Sequence, residues 1–99
     1  MANKTFIYEL PPLGKGEFPD IPRPDGAKLT FQVHSGSEVE ILGNTEGLLH
    51  LARNIAAMAM LKKCSGLHIH LDPECGDIDE GSSMVTIHNL DFGGRKGTF

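Results

Sequence analysis

The sequence holds no apolar run near the roughly 18 residues that a membrane-spanning helix requires. Its longest apolar-rich stretch, Ile55 to Leu61, is mostly alanine and methionine and sits in mid-chain. Met1-Ala2-Asn3-Lys4 leads straight into strand-like sequence, without the apolar core of a signal peptide. These absences predict a cytoplasmic protein that does not use a membrane. Cysteine is scarce, and Cys64 and Cys75 lack CxxC spacing, so two free thiols are expected in a reducing compartment. Basic residues are outnumbered, with 9 Lys and Arg against 13 Asp and Glu and a formal charge of −4. Phosphate contacts need a basic face, so this balance argues against direct nucleic-acid binding and suits a basic protein partner.

Catalytic motifs are missing as well. No G-x-x-x-x-G-K-[ST] phosphate loop occurs, and Gly93-Gly94-Arg95-Lys96-Gly97 follows no helix-opening pattern. Cys64 and Ser65 lie in no nucleophile elbow, and the carboxyl end of a helix disfavours a thiolate. No catalytic residue, metal or cofactor is expected, and the protein is read as a non-enzyme.

What is present makes one domain: 99 residues, 39% of them hydrophobic and 22% charged. Lys4 to Leu10 is aromatic and β-branched and predicts a first strand, which Pro11-Pro12 would end. Residues 11–26 hold five prolines and three glycines, and so predict a long loop that Phe18 and Ile21 tack onto the body. Leu29, Phe31 and Val33, then Val39 and Ile41, alternate with polar residues across Ser35-Gly36, predicting an antiparallel hairpin.

Asn44 is placed to cap a helix from about Thr45 to Cys64, with Lys62 and Lys63 near its end and Gly66 as its stop. The spacing predicts that Leu48, Ala52, Ile55 and Ala59 face the sheet, flanked by Leu51 and Met58, with His50, Arg53, Asn54 and Ala57 turned away. Leu67 to Leu71 and Val85 to His88 predict two more strands, and residues 91–99 a fraying tail. The expected fold is α+β, in the order β-ββ-α-ββ, with a mostly antiparallel sheet and one helix across one face.

Two constellations stand out. Asp72, Glu74, Asp77, Asp79 and Glu80 place five carboxylates in nine residues, without EF-hand spacing. They are read as a surface that docks a basic partner, with Phe18 as a candidate aromatic anchor from the proline-rich loop. His68 and His70 share a strand face, and His88 joins them if the last two strands pair in the right register. An open three-histidine metal site is the sharper interpretation, and solvent-facing polarity the expected one.

Taken together, Gly43-Asn44-Thr45-Glu46-Gly47-Leu48-Leu49-His50-Leu51-Ala52, His68-Ile69-His70-Leu71-Asp72 and Glu80-Gly81-Ser82-Ser83 resemble a family of bacterial polymorphic-toxin immunity proteins, immunity protein thirty-two. The first segment, ending Tyr8-Glu9-Leu10, fits the same pattern. The resemblance spans Ser37 to Asn89 and carries over no catalytic or metal-binding residue. It implies a single immunity-like domain over residues 1–99 that binds and neutralises a cognate toxin domain, often a nuclease. The alternatives are a small metal-dependent enzyme or metal-binding protein built on His68, His70 and His88, and an adaptor that pairs through a sheet edge.

Overall fold

The computed structural model describes residues 2–13, 18–61 and 68–92. Its elements are strands β1 (Leu29–Val33) and β2 (Val39–Gly43), helix α1 (Thr45–Met60), and strands β3 (His68–Leu71) and β4 (Val85–His88). Short 3-10 turns cover Pro73–Cys75 and Leu90–Phe92. The fold is α+β, and its helix lies between two antiparallel strand pairs as the sequence predicts. The pairs form two separate two-stranded sheets rather than one.

In the first hairpin Leu29 pairs with Gly43, Phe31 with Ile41 and Val33 with Val39, so these side chains share one face. Leu29 and Phe31 are buried there, while Val33, Val39 and Ile41 are exposed. The outer end of the hairpin therefore overhangs the core.

Among the described residues no strand pairs with the other flank of β1, yet that flank is satisfied. Asp79 N and Ser83 N donate to the Leu29 and Phe31 carbonyls, both at 2.9 Å. In return, Leu29 N donates to Asp79 Oδ2 at 3.1 Å and Phe31 N to Ser82 Oγ at 2.8 Å. Residues 79–83 thus form a seam that ties the second half of the chain to the first hairpin. One expectation fails: Lys4 to Leu10 forms no strand, and the seam closes the flank of β1 to it. Leu10 and Leu13 pack instead against Met58 and Leu61.

Asn44 caps α1 as expected and does more. Its Oδ1 accepts from Gly47 N and Lys28 N, both at 2.9 Å, and its Nδ2 donates to the Gly26 carbonyl at 2.8 Å. Gly47 then presses on the Lys28 backbone, where an added Cβ would stand 1.8 Å from the carbonyl oxygen. That approach sets the roll of the helix and corrects its predicted face. The buried residues are Gly47, His50, Leu51, Asn54, Ala57 and Met58. Leu48 and Ile55, expected against the sheet, are 45% and 48% exposed. The helix is turned by about one residue, roughly 100°, from its apolar stripe. It ends at Met60, short of Cys64. Lys62 to Gly66, and so the thiol expectation for Cys64, lie outside the described residues, as does the predicted tail from Gly93.

One core cluster joins Leu29, Phe31, Leu51, Leu71 and Ile78, with Ile69, Val85 and Ile87 packed against it. A smaller one at the end of α1 joins Met58 and Leu61 with Leu10, Leu13 and Phe18. Asn89 Nδ2 donates to the Met58 carbonyl at 2.9 Å, fastening the end of β4 to the helix.

Candidate partner-binding surface

The acidic segment between β3 and β4 is built rather than slack. Asp72 Oδ1 accepts from Glu74 N at 2.9 Å and opens the Pro73–Cys75 turn. Gly76, at φ 81°, closes it in a backbone region that glycine enters without steric cost. Ile78, the lone aliphatic side chain among the carboxylates, is 1% exposed and plugs the main core. A turn from Asp79 to Ser82 follows, and Ser82 N donates to the Asp79 carbonyl at 3.2 Å.

The five carboxylates consequently divide. Asp79 is structural: it pairs with Arg23 and accepts from Leu29 N and Thr30 Oγ1, each at 3.1 Å. The Arg23 hydrogen bond, helped by the one from Thr30, holds its carboxyl below the usual range against the opposing effect of desolvation. Asp72 is engaged in its turn. Glu74 and Glu80 are exposed and Asp77 is half-buried. Among the described residues, these last three make no ion pair.

Arg23, a cation that the sequence reading passed over, brings the two predicted surface regions together. From the proline-rich segment it reaches the Gly76 carbonyl at 3.3 Å and the Ala27 carbonyl at 2.5 Å, besides Asp79. The available signal was its position as the one cation between Pro22 and Pro24. Phe18 is half-buried against Met58 and Leu61 and props this segment on the end of the helix.

Two hollows flank residues 19–21. One, of about 190 Å³, is lined by Phe18, Asp20, Asn54, His70, Leu71 and Asp77 among others. The second, of about 460 Å³, runs along Tyr8, Pro11, Pro22, Pro24 and Arg53. His50 is 1% exposed, and among the described residues neither of its ring nitrogens has a hydrogen-bond partner. Burial lowers its pKa; Asp77 opposes that shift, while Arg23 and Arg53 add to it.

The three strand histidines do converge. His68 pairs with His88 across β3 and β4, and their rings stack at a centroid distance of 4.9 Å. His70 meets His68 edge-on at 4.8 Å, and its Nδ1 lies 2.9 Å from Thr86 Oγ1. Among the described residues, no group of three His, Cys, Asp or Glu side chains is placed to hold a metal ion. Nor is any described helix long and apolar enough to cross a membrane.

The segments that carried the family resemblance hold this architecture together. Gly43, Asn44 and Gly47 make the junction between hairpin and helix, and Ser82 and Ser83 lie in the seam. Comparison with known proteins bears the resemblance out: the family described as Immunity protein 32 matches residues 38–90. No curated protein and no solved structure matches the chain. The family match covers just over half of the 99 residues and contains the capped helix, both sheets' later strands and the seam; this chain belongs to the Immunity protein 32 family.

Proposed function

We propose that the protein works in the cytoplasm as a non-catalytic inhibitor, binding and neutralising a cognate toxin domain through its acidic face. Family membership is the observation that carries this reading. The charge layout supports it. Asp20, Asp25, Glu74, Asp77 and Glu80 lie on the proline-rich and acidic segments that Arg23 ties together, and none has an ion-pair partner among the described residues. Like charges so placed repel one another, and a basic partner relieves that repulsion while being steered toward the face. A toxin that attacks nucleic acid has the required basic surface, because its own substrate is a polyanion.

The test is co-expression with the toxin encoded beside this protein, scored as growth rescue, followed by binding kinetics. Converting Glu74, Asp77 and Glu80 together to amides is expected to slow association and flatten its salt dependence while leaving the fold intact. Unchanged rates at two salt concentrations would place the inhibitory surface elsewhere.

A further inference from the structure

We propose that the smaller hollow, between residues 18–21 and β3, is a receptor for one arginine side chain presented by a protein partner. The proposal rests on the immunity reading and names the chemistry that the acidic face recognises.

Size is the first argument. At about 190 Å³ the hollow is below the roughly 300–1,000 Å³ usual for small-molecule sites. It suits a single long side chain. The chemistry of its walls is the second. Asp20 stands on the proline-rich segment and Asp77 on the acidic one, so two carboxylates line a small space from different parts of the chain. Neither forms an ion pair among the described residues: Arg23 is committed to Asp79 and two backbone carbonyls, and Arg53 lines the larger hollow beside Asp20 without bridging to it. Burial disfavours the charged form of His50, on which Asp77 also acts.

Part of the remaining polar lining can also accept. Asn54 is 6% exposed, and its amide nitrogen donates to the His50 carbonyl at 2.9 Å, leaving its carbonyl oxygen as the acceptor it can offer. His70 also lines the hollow, with its Nδ1 engaged by Thr86. A pocket with two carboxylates repels an anion, and an apolar side chain seated there would leave those carboxylates unpaired. The pocket calls for a cation with several donors. A planar guanidinium carries five N–H donors in a fork that matches carboxylates, against three on an ammonium. Phe18, Ile69 and Leu71 supply apolar wall for the methylene stem and an aromatic ring for the cation.

The first experiment does not need the toxin. Acetyl-arginine amide is titrated into the full chain and followed by NMR, with the uncharged isostere acetyl-citrulline amide as control. Saturable shifts centred on the Asn54 side chain and the amides of Asp20 and Asp77, with arginine alone, are the expected result. They should weaken about tenfold in Asp20→Asn, a change at an exposed loop position that leaves the core untouched, and again in Asp77→Asn. Equal response to citrulline, shifts centred elsewhere, or no saturable shift overturns the proposal. The second experiment measures toxin binding by Asp20→Asn, with Glu38→Gln on the hairpin turn as control. A loss of about tenfold, confined to Asp20→Asn, supports the pocket. Full affinity in Asp20→Asn overturns the pocket and leaves the immunity reading standing. A toxin that the unaltered protein does not bind overturns the immunity reading, while the titration still decides the pocket.

Discussion

His50 sits where a leucine would be expected, enclosed by the core with both ring nitrogens unpaired. An unfolded histidine titrates near 6.5, and burial places the folded value lower. Below about pH 6.5 the unfolded chain therefore binds more protons than the folded one, and stability falls as pH drops toward the folded value. Above that point the penalty is absent. Urea unfolding should show a lower midpoint at about pH 5 than at about pH 7.5, and His50→Leu should remove most of that difference. Asp79 titrates in a separate window. Its folded pKa is depressed from 3.8, so its contribution is complete above that value and is lost only in stronger acid. If His50→Leu keeps the full slope between the two pH values, another group is responsible.

The helix shows how a correct element can carry the wrong face. Its start at Asn44 and its helical period were legible, because a capping side chain and a 3.6-residue repeat act locally, although it ends at Met60 rather than Cys64. Its roll was not. Hydrophobic spacing pointed to Leu48, Ile55 and Ala59, but a glycine that permits backbone contact with Lys28 sets how the helix lies. Leu51→Ala and Met58→Ala should each lower stability by about 2–5 kcal/mol, whereas Ile55→Ala should cost less than about 1 kcal/mol. Denaturant unfolding of the three variants would show it, and an equal loss in Ile55→Ala would restore the original face. The missing strand at Lys4 to Leu10 has a related cause. β-propensity describes a residue's fit to a sheet, but a strand also needs an edge to receive it, and that depends on residues far away in the chain.

At the scale of the whole molecule, the acidic segment was legible as charge but not as structure. Composition marked the five carboxylates. Nothing local distinguished Asp79, a brace for β1, from Glu74 and Glu80 at the surface, because the difference is made by Arg23 and Leu29 some 50 residues away. The same distance hid the pocket, whose walls come from four separate stretches of sequence. Asp79→Asn should therefore destabilise the protein by about 1–3 kcal/mol, and Ser82→Ala by about 1 kcal/mol, while Glu80→Gln should be nearly neutral. Thermal melts would separate them; equal values would mean that the seam adds nothing to stability. The seam also governs the order in which the protein can be completed during synthesis. The first hairpin closes across residues 34–38, and the helix follows at once, so both can form while the chain is still being made. The bonds from Leu29 and Phe31 to Asp79 and Ser82 bridge sequence separations of 50 and 51 residues and cannot form until that later segment has left the ribosome. Until then β1 presents an open edge beside the apolar faces of Leu29 and Phe31, the kind of edge at which pairing between chains competes with completion of the fold.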